Sequence, residues 1–366
     1  MPFARSRYPD PVTDPTPERG SPIRSVALGI VVFGATLILL FGALNVVRRS
    51  DSGTPAASST QAVASRTPTR APASPEPNGS TSGSAAPSAD PSASASVSAS
   101  PAVEATLVGA GDIADCGLKD DLATAALVAA IPGAVFTAGD NAYQSGTAKE
   151  FHDCYDPTWG AFRDRTRPAP GNHDWVTKDL AGYLGYFGTA AAPNGTSWYS
   201  YELGAWHVIV LDSDCSNVGG CDAGSPQGRW LAADLKASSA QCTLAIWHHP
   251  RFSSGFHGND AEVGPFWKAL YDGGADLIIN GHDHDYERFA PQDSNGHADG
   301  ARGIREFVVG TGGAELRPFF LTRANSELRY SASFGVIRLD LHRGSYNWQF
   351  VPTKGTFSDS GTASCH

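Results

Sequence analysis

Residues 104–366 predict an α/β fold in which two mixed sheets pack face to face with helices outside. Three observations predict it. Short apolar runs recur along the chain, helical patterns separate several of them, and two pairs of runs lie close enough to form hairpins. A strand that is apolar throughout is buried on both faces, which requires a cover of helices. The runs fall at 105–110, 134–138, 198–203, 206–211, 242–247, 275–280, 305–309, 334–340 and 345–351. The helical patterns fall at 119–130, loosely 147–164, 226–237 and 261–272. The hairpin-like pairs near 198–211 and 334–351 add antiparallel strands, so the sheets are mixed. About 260 residues suit one large domain, and the sequence shows no internal repeat.

Ahead of that domain the composition changes twice. Residues 1–25 form a tail carrying Arg5, Arg7, Arg19 and Arg24, and residues 26–47 carry no charge over 22 positions. As a helix, the uncharged run would rise about 33 Å, enough to cross a bilayer's hydrocarbon core. A cleaved signal has an apolar region of roughly 7–15 residues and ends at a small-residue site. This run is longer and stops at Arg48-Arg49, so a transmembrane anchor is expected, with secretion after cleavage as the alternative. The arginines favour a single-pass protein of the cell membrane, its N-terminus cytoplasmic and everything after residue 50 outside. Residues 48–103 are dominated by Ala, Ser and Pro, with too few large apolar side chains to offset chain entropy. They are expected to be a disordered stalk.

All six cysteines lie in the last domain, at 116, 154, 215, 221, 242 and 365. An even count outside the membrane suggests disulfides. Cys215 and Cys221 enclose a short glycine-containing loop and form the first expected pair. Cys116–Cys154 and Cys242–Cys365 would follow, although six cysteines allow 15 connectivities. The formal charge of −10 argues against a nucleic-acid surface, which needs a basic face. No G-x-S-x-G elbow is present to support serine hydrolysis.

Between Asp112 and His284 five short blocks occur in order: GDIAD, GDNAY, GNHD, HHP and GHDHD. A lone Asp after a strand is more often a turn or helix cap. Here carboxylates, an amide, a phenol and imidazoles recur together, a donor set that suits two adjacent hard-to-borderline cations. Asp112, Asp140, His248 and His282 each follow an expected strand by one to three residues. Ligands in α/β sheets gather beyond the carboxyl ends of strands, so one converging site is expected.

These blocks resemble the calcineurin-like metallophosphoesterases, and within them the purple acid phosphatases, over roughly residues 104–351. The resemblance implies a four-layer α/β/β/α sandwich, preceded here by the transmembrane helix and stalk. It implies that Asp112 binds a first metal, that Asp140 bridges both, and that Tyr143 and His284 complete the first site. The tyrosine favours Fe(III) there. Asn172, His248 and His282 would hold a second ion, Fe(II), Zn or Mn, with His248 selected over His249 because the family's ligand stands two residues before the proline. His173 would lie beside the substrate phosphate, Asp174 would hold His173 in its working tautomer, and His257 would be the general acid. The family's opening block reads Asp-x-Gly, whereas Asp112 is followed by Ile113 and Ala114. Trp175, Tyr183, Tyr186 and Phe187 either wall the entrance or pack in the core.

The implied activity is hydrolysis of a small phosphomonoester by in-line attack of a metal-bound hydroxide, close to the membrane that the N-terminal helix enters. Two alternatives share these residues: a phosphodiesterase acting on nucleotides or phospholipid head groups, and a catalytically weak surface binding protein.

Overall fold

A computed structural model describes residues 102–366. The expected membrane helix at 26–47, and the linker as far as residue 101, lie outside the described residues. Among the described residues no helix is long and apolar enough to cross a membrane.

The first strands are β1 (Ala105–Ala110), β2 (Ala114–Asp115), β3 (Ala134–Ala138), β4 (Ala142–Tyr143) and β5 (Thr166–Ala169). The middle of the chain supplies β6 (Tyr199–Leu203), β7 (Trp206–Val210), β8 (Cys242–Ile246), β9 (Leu277–Asn280) and β10 (Tyr286–Phe289). The last are β11 (Arg305–Val309), β12 (Ser326–Tyr330), β13 (Gly335–His342), β14 (Ser345–Pro352) and β15 (Asp359–Ser364). They build a six-stranded sheet ordered β15-β14-β13-β1-β3-β5, a seven-stranded sheet ordered β12-β10-β11-β9-β8-β7-β6, and a small β2-β4 pair. Both large sheets are mixed. β1, β3 and β5 run parallel in the first, and β7, β8, β9 and β11 in the second.

Burial follows the strand period of two. Val208, Val210, Leu244, Ile246, Ile279, Phe307 and Val309 share a core with Leu107, Val135 and Leu339 of the opposite sheet. Their sequence neighbours Ile209, Ala245, Ile278 and Val308 turn the other way, onto Leu231, Phe266, Trp267 and Leu270. Those last side chains come from the outer helices Pro226–Ala237 and Gly264–Asp272. Both faces of these strands are therefore dry, which explains their unbroken apolar runs. Ring contacts cross between the sheets at Tyr286–Phe350, 4.2 Å between centroids, and Trp206–Tyr346, 5.6 Å. The helix Asp120–Ala130 contributes Ala125 and Val128 to the same core.

The helical pattern expected at 147–164 does not form one helix. It divides into Ala148–Glu150, a π-helical turn at Phe151–Tyr155 and a 3₁₀ stretch at Trp159–Arg165. The break lets Cys154 reach Cys116 and sends Phe151, Tyr155, Trp159 and Phe162 into the core. All three expected cysteine pairs are present: Cys116–Cys154, Cys215–Cys221 and Cys242–Cys365.

His207 on β7 joins the second sheet to its covering helix. Its Nδ1 lies 2.7 Å from Glu202 Oε1 and its Nε2 2.8 Å from Asp234 Oδ2. Burial disfavours the imidazolium, but Asp234 and Glu202 outweigh burial and raise the pKa above its ordinary 6.5. The resulting stabilisation is fully present below pH 6.5 and is lost as pH rises through the raised folded value. Denaturant unfolding of His207→Gln is expected to give a stability–pH curve flatter than the parent's above pH 6.5. Parallel curves would remove His207 as a pH-linked clamp.

Candidate metal centre

Five parallel strands end on one side of the sandwich, and each is followed at a short fixed interval by a polar side chain. Asp112, Asp140, His248 and His282 stand two residues beyond β1, β3, β8 and β9, and Asn172 stands three beyond β5. Three strands belong to one sheet and two to the other, so the site straddles the sandwich.

The backbone there is bent away from ordinary conformations. Asp112, Asp140 and His282 have φ of 61°, 50° and 68°, a region that costs a non-glycine residue about 1–3 kcal/mol. In each case the turn brings a side chain back over its strand end. The inward chain leaves no room behind it. A Cβ on Gly139, itself at φ 83°, would lie 2.4 Å from His248 Nδ1, and one on Gly171 would lie 2.3 Å from Asp140 Oδ1.

Two groups of donor atoms result. In the first, Tyr143 Oη lies 2.7 Å from Asp112 Oδ1, 3.0 Å from Asp140 Oδ2 and 3.2 Å from His284 Nε2. In the second, His248 Nε2 lies 3.2 Å from Asp140 Oδ2, 3.1 Å from Asn172 Oδ1 and 3.2 Å from His282 Nδ1. Asp140 Oδ2 belongs to both. The expected ligands Asp112, Asp140, Tyr143, Asn172, His248, His282 and His284 are all brought together. Ala114, where the family block has glycine, is accommodated at the start of β2, and its N–H donates to Asn141 O at 3.2 Å.

The donor chemistry fits cations. His248 Nδ1–H donates to Ala138 O at 2.8 Å, and His284 Nδ1–H donates to Glu315 O at 2.8 Å. Each ring then turns its Nε2 lone pair inward, toward carboxylate, amide and phenol oxygens. Lone pairs that converge on one another repel unless a proton or a metal ion stands between them. Asp112 and Asp140 are buried, and among the described residues no Lys or Arg is paired with either. Burial pushes the Asp140 carboxyl up, but His248 beside it prevails and holds it well below the usual range. The same field acts on His248: burial opposes its charge, while Asp140 and Asp112 push its pKa up to about 10. Burial, with Asp112 and Asp140, raises the Tyr143 phenol far above its ordinary value. The cluster is a pocket of negative potential that asks for positive charge.

Of the two histidines in HHP, His248 is the one that faces Asp140 and Asn172, although a nitrogen of His249 also lies within 4.8 Å of ligand atoms on His248 and His282. His249 instead places Nδ1 2.8 Å from Ser213 Oγ, and its ring stands 4.3 Å from that of His282. His173 lies at the rim, its Nδ1–H donating to Gln144 O at 2.7 Å and its ring 4.4 Å from Tyr143. The expected pairing of Asp174 with the His173 ring is not formed. Asp174 is buried and accepts from Gly171 N at 3.0 Å and from Asn141 Nδ2 at 2.9 Å. Burial and the nearby Asp140 push its pKa up to about 7. Neighbouring residues on the short helix Asn172–Val176 point about 100° apart, so 173 and 174 face different surroundings. Tyr183 and Phe187 lie in the core rather than at an entrance.

His257 is exposed, with its ring 4.2 Å from the His282 ring. Its Nε2 accepts from Arg317 Nη1 at 2.8 Å. Arg317 was not singled out by the sequence, because it sits in a loop beyond the last block. It lines a cleft of about 340 Å³ with Tyr143, Gln144, His173 and His284. Asp115 and Glu315 line the same opening, and Glu315 Oε1 accepts from Arg317 Nε at 2.7 Å.

The calcineurin-like phosphoesterase profile matches residues 100–286. An uncharacterised protein of Mycobacterium tuberculosis is 33% identical over 146 residues, which cover 34% of this chain and 28% of that protein. Purple acid phosphatase 15 of Arabidopsis thaliana is 30% identical over 159 residues, covering 37% of this chain and 29% of its own length. Purple acid phosphatase 21 of the same plant is 29% identical over 233 residues, 54% of this chain and 51% of that one. The chain thus spans no more than about half the length of these relatives. Among solved structures, the purple acid phosphatase PPD1 of yellow lupin shares the fold, with a TM-score of 0.58 at 19% identity over 71% of this chain and 53% of the other. With half of its length matched by the profile, the chain belongs to the calcineurin-like phosphoesterase family.

Proposed function

We propose that this protein is a dinuclear-metal phosphatase that hydrolyses phosphomonoesters outside the cell, held at the membrane by residues 26–47. The observation that carries the chemistry is the single oxygen Asp140 Oδ2, within 3.0 Å of Tyr143 Oη and 3.2 Å of His248 Nε2. One carboxylate oxygen common to two donor sets suits a bridge between two ions. The membrane placement rests on the uncharged run and the arginines around it.

Asp112, Tyr143 and His284 would hold one ion, and Asn172, His248 and His282 the other, with Asp140 between them. The phenol and two carboxylates are hard oxygen donors and favour a trivalent ion, so Fe(III) is assigned to the first site. The amide and imidazoles suit Fe(II), Zn or Mn at the second. When bound, such a pair supplies Lewis acidity toward the phosphoryl group and makes water more acidic. Hydrolysis joins the oxygen of water to phosphorus and breaks the bond to the alcohol, which must leave with a proton. His257, at the mouth, is assigned as the donor of that proton, which requires its Nε2 to leave Arg317, from which it accepts here, and become protonated. His173, held by Gln144 O and packed on Tyr143, turns Nε2 toward Asp140, 4.0 Å from its Oδ2, where an imidazolium would donate to a phosphoryl oxygen. Arg317 adds positive charge at the same opening.

Protein purified with its own metals is expected to contain two ions per chain and to cleave a chromogenic phosphomonoester. Asp140→Ala combined with Asn172→Ala should strip the ions. It should also cut kcat/KM by more than the roughly 10- to 100-fold that follows loss of a metal ligand's hydrogen-bond partner. Activity that survives the double change would refute the site.

The oxidised protein should absorb visible light through an iron–phenolate transition, and Tyr143→Phe should abolish the band. A colourless, iron-free and fully active enzyme would take that role from Tyr143.

His257→Ala should slow esters of poorly acidic alcohols far more than esters of activated phenols, by the 10²- to 10⁴-fold range of acid catalysis. Equal losses on both kinds would remove His257 as the proton donor.

A further inference from the structure

Two phenylalanines stand unburied beside the cleft that Arg317 lines. Phe256 is 55% exposed and Phe320 66%, with ring centroids 5.7 Å apart. Two large rings side by side at the border of a polar cleft offer an apolar contact surface next to the donor atoms. They also continue a series of rings that begins at the donor atoms. His257 lies 4.2 Å from His282, Phe256 lies 5.2 Å from His257, and Phe320 follows. The Arg317 guanidinium sits 5.3 Å from the Phe256 ring centre while donating to His257.

The loops carrying these rings are fixed rather than loose. Buried Asp283 accepts from His257 N at 2.7 Å and from Gly258 N at 3.1 Å. The loop of Phe320 is tied to that of Phe256 through Arg323, whose N–H donates to Ser254 Oγ at 2.9 Å and whose Nε donates to Ser253 O at 3.0 Å. A rigid aromatic surface binds a flat ring without first being ordered.

We propose that Phe256, Phe320 and Arg317 form a subsite for the leaving alcohol, and that the alcohol it selects carries an aromatic ring. This rests on the phosphatase reading. A phosphoryl group seated on the donor atoms directs its ester oxygen toward His257, and the next atoms outward meet Phe256. A ring attached to that oxygen would stack across Phe256 and Phe320 at the 4.5–7 Å spacing that aromatic pairs adopt. A short hydrophilic alcohol would leave both rings wet.

The test is equilibrium binding of phenylphosphonate and methylphosphonate, two unhydrolysed probes, to the full chain carrying its metals. The parent should bind phenylphosphonate about tenfold more tightly, the effect of one or two aromatic contacts. Phe256→Ala with Phe320→Ala should erase that preference, leaving methylphosphonate affinity and metal content unchanged. Phe256→Tyr with Phe320→Tyr, which keeps both rings, should retain it. Equal affinities in the parent, or a preference that survives loss of both rings, would overturn the subsite. So would dimers that disperse in the alanine variant while the two probes bind alike, since the rings would then be an interface between copies. Turnover assayed on the same samples separates the two ideas. Ester hydrolysis without ring preference sinks only the subsite, and ring preference without hydrolysis sinks only the phosphatase.

Discussion

Two carboxylates buried where the parallel strands end set the terms for everything around them. Asp112 and Asp140 are shielded from water and receive no lysine or arginine among the described residues. Removing such charges from water costs several kcal/mol per ion unless an opposite charge is close. Asp140 and Asp112 push the pKa of His248 up against its burial, which favours a proton there. That is a poor substitute, because one imidazolium cannot reach every converging lone pair. Cations that bind only the folded chain would relieve the repulsion and stabilise the fold in proportion to their affinity. Stability and chemistry therefore draw on the same residues.

The fold is arranged to impose that convergence. Parallel strands in both sheets deliver their carboxyl ends to one side, and left-handed residues at Asp112, Asp140 and His282 aim the side chains inward. Such conformations persist only where neighbours hold them. His282 N donates to Asp112 Oδ2 at 2.8 Å, linking the two sheets, and His173 N donates to Asp140 Oδ1 at 2.8 Å. The second carboxylate oxygens are thus occupied by backbone donors, which fixes the planes of both carboxyl groups. Glycines at 139 and 171 allow the approach.

Central strands were legible because burial on both faces writes itself as an apolar run. Three strands that were missed, β5, β12 and β15, lie at sheet edges. There one side meets solvent or loops, so TRPA, SELRY and DSGTAS carry proline, charge and hydroxyls without an apolar signature. β10 was missed for another reason. Its Glu287 is buried inside the sheet and accepts from Ser254 N at 2.7 Å, a partner that lies 33 positions away in sequence. The cluster of donor residues was legible because strand ends and residue chemistry coincide in short blocks. What a block cannot show is where successive side chains point, and Asp174 illustrates the cost. It buttresses Gly171 and Asn141 from behind instead of touching His173.

The loop after β11 shows how the rim and the metal site come to depend on each other. Glu315 O accepts from His284 Nδ1, and Arg317 N donates to His284 O at 2.9 Å, so two residues of the loop grip His284 from both its ring and its backbone. Arg317 then extends to His257, while Nε donates to Glu315 Oε1 at 2.7 Å and fixes the guanidinium. A displacement of this loop would shift the His284 ring and His257 together. Such coupling limits how far the rim can vary without disturbing the ions. Phe256 and Phe320 can change what the opening recognises, because neither bears a hydrogen bond on which the site depends.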